Sequence, residues 1–145
     1  MKTQELFQYI SDHDLLSDTE IVFIQTCLDD IREITPSDKP SVFRKMEKIV
    51  NDSEDLSWCI FALKKKQSEL QRDYRMVKDP FFMTLVRQNR PSTEAINSEI
   101  RTLHKEVYDL EDGLSMVEHI LGYLDHIQLS LERYLYLLKD KLKFD

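Results

Sequence analysis

The sequence predicts an all-α protein: a long antiparallel helical hairpin, packed like a coiled coil, with N-terminal helices at its base. Three observations carry this expectation. Between Ser92 and Lys143 apolar residues recur in alternating steps of four and three: Ile96, Ile100, Leu103, Val107, Leu110, Leu114, Val117, Leu121, Leu124, Leu131, Leu135, Leu138 and Leu142, with Gln128 the one polar member. A period averaging 3.5 residues keeps one stripe turned toward a partner helix. A second row of the same period runs through Val42, Met46, Ile49, Ser53, Leu56, Ile60, Leu63, Gln67, Leu70, Tyr74 and Val77. Finally, 2 Gly and 4 Pro in 145 residues are too few turn formers for a many-stranded sheet.

Taken in order, residues 3–10 predict a short opening helix with Leu6, Phe7 and Ile10 on one side. Ser17 and Glu20 form a capping box, with Leu16 and Ile21 placed as a hydrophobic staple. The helix that follows is predicted to reach about Ile34, burying Ile21, Ile24, Leu28 and Ile31, its face broadened by Phe23, Cys27 and Ile34. Thr35–Pro40 breaks the pattern and closes an N-terminal segment, 1–40.

Residues 41–145 are predicted to be the hairpin: 41–78 outward, 79–91 as the tip and 92–143 in return, the whole chain forming one structural domain. Asn51, Asp52 and Ser53 favour caps over helix interiors, so a break is expected there, with one continuous helix as the alternative. Asp79-Pro80 reads as an N-cap followed by proline at the first helical position, which starts a one- or two-turn helix ending near Asn89. Ser92 is predicted to cap the long return helix, with Glu94 in its electropositive first turn.

Beyond Leu114 a second stripe joins the first: Met116, Ile120, Tyr123, Ile127, Tyr134 and Leu137. One stripe needs one partner and two need more. The expectation is a two-helix arm toward the tip and a thicker bundle at the base. There Leu121, Leu124, Gln128, Leu131, Leu135 and Leu138 form the core and the contacts of a homo-oligomer. Gln128 is expected to face the region of Met46 and to set register, so that Gln128→Leu raises thermal stability.

Composition excludes several classes. No apolar run approaches a membrane span and the N-terminus has no apolar leader segment, so a cytoplasmic protein without membrane contact is expected. Cys27 and Cys59 read as buried reduced thiols, a disulfide being the alternative. Gly113 and Gly122 lie mid-helix, which leaves no glycine-rich phosphate loop. His13, His104, His119 and His126 lack metal-ligand spacing and read as surface histidines, and Glu111-Asp112 as a solvated face. No catalytic residue, cofactor or metal is predicted.

Charge is distributed unevenly. The chain carries −7 overall, but residues 1–63 hold 6 basic and 13 acidic groups, residues 64–105 hold 10 and 5, and residues 106–145 hold 4 and 9. A hairpin concentrates the central basic block: Lys64, Lys65, Lys66, Arg72, Arg75 and Lys78 on one helix, Arg87 and Arg90 in the tip, Arg101 and Lys105 on the other helix. Tyr74, Phe81, Phe82 and Tyr108 stand among them. Cations that neutralise phosphates, beside aromatic faces on which bases stack, suit sequence-tolerant binding of single strands. Two other readings stay open: the cations solubilise the hairpin while Phe81 and Phe82 plug its end, or those aromatics dock a protein.

The layout Arg72-Asp73-Tyr74-Arg75, then Pro91-Ser92-Thr93-Glu94-Ala95-Ile96 leading into a Tyr- and Leu-rich helix that ends Tyr134-Leu135-Tyr136-Leu137-Leu138-Lys139, resembles the UvsY family of recombination mediators from tailed phages. The resemblance covers roughly residues 56–140. It implies a small helical oligomer without enzymatic activity that binds single-stranded DNA and helps load a recombinase onto strands coated by single-strand-binding protein. Lys64, Lys65, Lys66, Arg72 and Arg75 would be its phosphate-contacting positions. The acidic balance and the Thr35–Pro40 break depart from that pattern. They leave room for the alternative, an acidic helical adaptor or inhibitor of a nucleic-acid-processing enzyme.

Overall fold

The computed structural model describes residues 3–88 and 92–144. Among them are five helices and no strand: α1 (Thr3–Asp12), α2 (Asp18–Arg32), α3 (Lys39–Arg87), α4 (Thr93–Leu103) and α5 (Lys105–Phe144). The all-α hairpin expectation holds, with α3 and α5 as its two long helices. The chain divides into two compact units, each taking part of both: residues 1–63 with 120–145, and residues 64–119.

In the first unit, α1 and α2 supply the cover that the second stripe needs. Leu6 and Ile10 of α1 and Ile24 and Cys27 of α2 are buried, as are Val42, Ile49, Leu56, Cys59, Ile60 and Leu63 of α3 and Ile120, Leu121, Leu124, Ile127, Leu131, Tyr134 and Leu138 of α5. The Phe7 ring meets Tyr123 edge-on at 6.4 Å. Helix α1 closes through Asp14, whose φ of 50° is a left-handed conformation that Asp tolerates. The capping box forms as expected: the Glu20 amide donates to Ser17 Oγ at 3.2 Å and the Ser17 amide to Glu20 Oε1 at 3.1 Å. Helix α2 stops earlier than predicted, so Ile34 lies past its end and is exposed rather than part of the apolar face. Leu137 also points outward, since Tyr134 and Leu138 take the inward positions around it.

Helix α3 does not break at Asn51–Ser53; it runs unbroken for 49 residues. Around this point the helix is tied to α5 through Gln128. Gln128 Nε2 donates to Ser57 Oγ at 2.6 Å and to the Ser53 carbonyl at 3.4 Å. The polar seam residue therefore faces Ser53 and Ser57 rather than Met46. Nor does α3 end at Lys78: it passes through Pro80 to Arg87, and the predicted separate tip helix is its last two turns. An interior proline removes one backbone bond. Burial of Phe81, Phe82 and Leu85 against Ile96, Ile100 and Val107 offsets that loss. The return helix, predicted as one, is two, divided at His104, which leaves the seam residue Leu103 exposed.

Asp52 is buried beside Asp30 of α2, and Lys45 and Lys48 of α3 close the cluster. Lys48 Nζ lies 2.7 Å from Asp30 Oδ1 and Lys45 Nζ 3.9 Å from the same atom. Lys45 also binds Glu33. The Oδ2 atoms of Asp30 and Asp52 are buried and have no donor among the neighbouring residues. Two carboxyl groups in that position must share a proton. Burial, reinforced by the Asp30 hydrogen bond and charge, pushes Asp52 up to about 7. Asp30 is also raised by burial, but the hydrogen bonds from Asp52 and Lys48 and the charges of Lys48 and Lys45 outweigh this and hold it below the usual carboxylate range.

The two residues act on stability in opposite senses. Asp52 binds a proton more tightly folded than unfolded, so stability should fall as pH rises from about 4 toward about 7. Asp30 contributes stability at neutral pH that is lost on acidification below about pH 4. Asp52→Asn removes the first slope and should raise the unfolding free energy at pH 8 by roughly 1–3 kcal/mol while changing little at pH 4. Urea titrations of both proteins at the two pH values measure this; a variant less stable than its parent at pH 8 contradicts the shared proton.

Candidate nucleic-acid interface

The second unit is built on a small core. Ile96 and Ile100 of α4 and Val107 of α5 are buried, and Tyr74, Val77, Phe81, Phe82 and Leu85 of α3 pack against them. Ser92 starts α4 as predicted, its Oγ accepting from the Ala95 amide at 3.1 Å. His104 closes it: its amide donates to the Ile100 carbonyl at 2.8 Å, and its ring stacks on Phe81 with centroids 3.6 Å apart and planes 13° off parallel. His104 is therefore a half-buried packing residue and not a surface histidine, whereas His13, His119 and His126 are exposed.

Beside this core lies a cleft of about 270 Å³, lined by Tyr74 and Lys78 of α3, Glu94, Asn97, Ser98 and Arg101 of α4, and Glu111 of α5. Lys78 Nζ sits 5.1 Å from the Tyr74 ring centre and 5.9 Å from that of Phe82, within cation–π range of both. Arg101 Nε lies 3.3 Å from Glu111 Oε2. Asn97 Oδ1 is buried in the structure without a hydrogen-bond partner. A smaller hollow of about 170 Å³ joins Arg101 to Tyr108, Asp112 and Ser115. The cleft thus offers cationic donors, a carbonyl acceptor that lacks a donor, and a tyrosine face.

The predicted positions separate into groups. Tyr74, Lys78 and Arg101 line one cleft, and Tyr108 lines the hollow beside it. Lys64, Arg75 and Lys105 are also carried by this unit, Lys64 and Arg75 on the same stripe of α3 as Lys78 and Lys105 at the start of α5, all outside that lining. Lys65 and Arg72 occupy a different, exposed face of α3, and Lys66 is half-buried on a third. Arg87 ends α3, exposed, and Arg90 lies outside the described residues. Phe81 and Phe82, expected as stacking or docking aromatics, are half-buried against the core. Of the core set, Leu121, Leu124, Leu131 and Leu138 are buried in the first unit, while Gln128 and Leu135 are half-buried.

Sequence reasoning missed Glu94 and Glu111 as cleft residues. Glu111 was read as part of a solvated face, yet it holds Arg101; its place ten residues beyond Arg101 on the far side of a helix break gave no periodic signal. Among the described residues no three His, Cys, Asp or Glu side chains converge as metal ligands would, and no helix is long and apolar enough to cross a membrane.

Comparison with protein-family models, with curated proteins and with solved structures returned no match.

Because Phe81 is a packing residue here, Phe81→Ala should lower the unfolding free energy by about 2 kcal/mol, less than a fully buried ring would cost. Urea unfolding followed by circular dichroism measures the loss; no change would mean that the His104 stack contributes nothing.

Proposed function

We propose that the protein is a non-enzymatic single-stranded DNA-binding accessory of recombination or repair, as the resemblance to phage recombination mediators implies. The observation that supports this reading is the convergence of Lys78, Arg101 and the Tyr74 face on one cleft, with Tyr108 exposed beside it. Lys64 and Arg75 extend the cationic stripe of α3 on which Lys78 stands. Phosphates would lie along that stripe, and bases would stack on the tyrosines. Stacking tolerates any base, since every base has a π face. The buried Asn97 Oδ1 offers an acceptor to an amino group entering the cleft. Glu94 and Glu111 partly neutralise the site, which favours modest affinity per chain and avidity from several copies on one strand.

The runner-up is an acidic adaptor or inhibitor that occupies a nucleic-acid groove of an enzyme. The −7 net charge favours it. The packing of Phe81 and Phe82 against the core takes from it the aromatics that would have docked. In the mediator reading a recombinase and a single-strand-binding protein are the further partners.

Fluorescence anisotropy of a labelled oligo-dT strand at low salt is the direct test. Binding should weaken as salt rises, with log K falling by about 0.7 per phosphate contacted for each unit of log salt. Exchanging Lys64, Arg75 and Lys78 together for Gln should flatten that slope by about 2, with the helical circular dichroism unchanged. No anisotropy change at low salt would end the nucleic-acid reading and leave the adaptor.

A further inference from the structure

On the side of α3 turned away from the core of the first unit runs a stripe that nothing in that unit covers. Phe43, Val50, Trp58 and Phe61 are exposed by 58%, 48%, 67% and 63%, and the rings of Trp58 and Phe61 meet edge-on at 6.2 Å. Glu47 and Glu54, also exposed, stand between them. From Phe43 to Phe61 the six positions advance in steps of three and four that average about 3.6, one helical turn, so they form a straight stripe. Rings of roughly 150–250 Å² each, covered by less than half, leave on the order of 400 Å² of aromatic surface in water, a size that marks an interaction site.

Charge decides what fits the stripe. Its two ionic groups are both acids, and among the described residues neither Glu47 nor Glu54 makes an ion pair. The cations nearest in sequence are held elsewhere: Lys45 by Glu33, Lys48 by Asp30, and Arg44 on Ser41 Oγ at 3.2 Å. On α5, Gln128 donates to Ser57 beside the stripe. Asp125 and Glu132, three residues before Gln128 and four after, are exposed on the same side of that helix. Lys139, farther along, lies over the Tyr136 ring at 5.6 Å. An acidic aromatic face repels a polyanion or an anionic membrane surface, and a second copy of itself would set acid on acid. We propose that this face of the first unit docks a basic amphipathic helix of a partner protein. The partner's apolar side chains would cover Phe43, Val50, Trp58 and Phe61, and its Lys or Arg side chains would pair with Glu47 and Glu54. Along α3 the stripe is roughly 27 Å long, so the docked helix has about five turns, with apolar anchors three and four residues apart. The site lies wholly within the first unit, so the inference stands whether or not the cleft of the second unit binds nucleic acid.

Two synthetic peptides of about 18 residues, free of tryptophan, test it. One carries Leu at helical spacing with Lys and Arg on the flanks; the other keeps the Leu pattern and has Glu in place of each cation. Fluorescence anisotropy of labelled peptide should show saturable binding of the basic one below about 100 µM, and binding of the acidic one at least about tenfold weaker. Trp58 is the one tryptophan, so its emission should shift to the blue as unlabelled basic peptide binds. Glu47→Lys together with Glu54→Lys should weaken the basic peptide by about tenfold or more. Asp109→Lys together with Glu118→Lys, the same change of net charge at exposed positions of the second unit, should leave its affinity within about twofold. All four positions are exposed, so helical circular dichroism should be unchanged in both variants. No binding of the basic peptide, equal binding of the two peptides, or an equal loss in both double variants overturns the proposal. A blue shift on raising the protein concentration alone also overturns it, and gives the face to a second copy.

Discussion

An apolar row repeated every 3.5 residues can be buried only along a second helix, and α3 and α5 meet that demand for one another. This constraint explains why α3 tolerates two features that ordinarily end helices. Asn51, Asp52 and Ser53 stay helical because the positions on either side, Ile49 and Leu56, are buried and would be pulled out of place by a break. Pro80 stays helical because Phe81, Phe82 and Leu85 beyond it are needed against Ile96, Ile100 and Val107. In both places burial of the following turn outweighs a local preference that acts over only a few residues.

The same competition explains what could be read from the sequence. The long rows were legible, since periodicity sums evidence over dozens of positions, and so were the caps at Ser17 and Ser92, which depend on residues three apart. The breaks were not. Local preference predicted interruptions at Asn51–Ser53 and after Lys78, where none occurs, and the 4-3 row concealed the interruption at His104, where one does. His104 carries no helix-breaking chemistry of its own; its ring finds Phe81, and the contact is invisible until the hairpin is closed. The candidate cleft was legible to the same degree. Lys78, Arg101 and Tyr74 could be gathered by folding the basic block, but Glu111 required the bend at His104 to be known.

Charge stands in two settings along α3. Where Asp30, Asp52 and Lys45 are buried, opposite charges, with the half-exposed Lys48 among them, and a shared proton compensate for lost hydration. Where charged side chains are exposed, acidic groups occur in both halves of the helix and basic groups outnumber them in the C-terminal half. Isolated exposed charges add little to stability.

The two cysteines have a practical consequence. Cys27 and Cys59 are free and buried, and burial, with smaller contributions from nearby carboxylates, pushes their thiols up to about 12 and about 11. A thiol reacts as its thiolate, so at neutral pH neither offers a nucleophile to a maleimide or an oxidant. A single cysteine introduced anywhere on the exposed face of α3 would therefore be the reactive thiol of the folded chain. Spin labels, fluorophores or cross-linkers could be attached there without first removing the native pair from the core that holds α2 to α3.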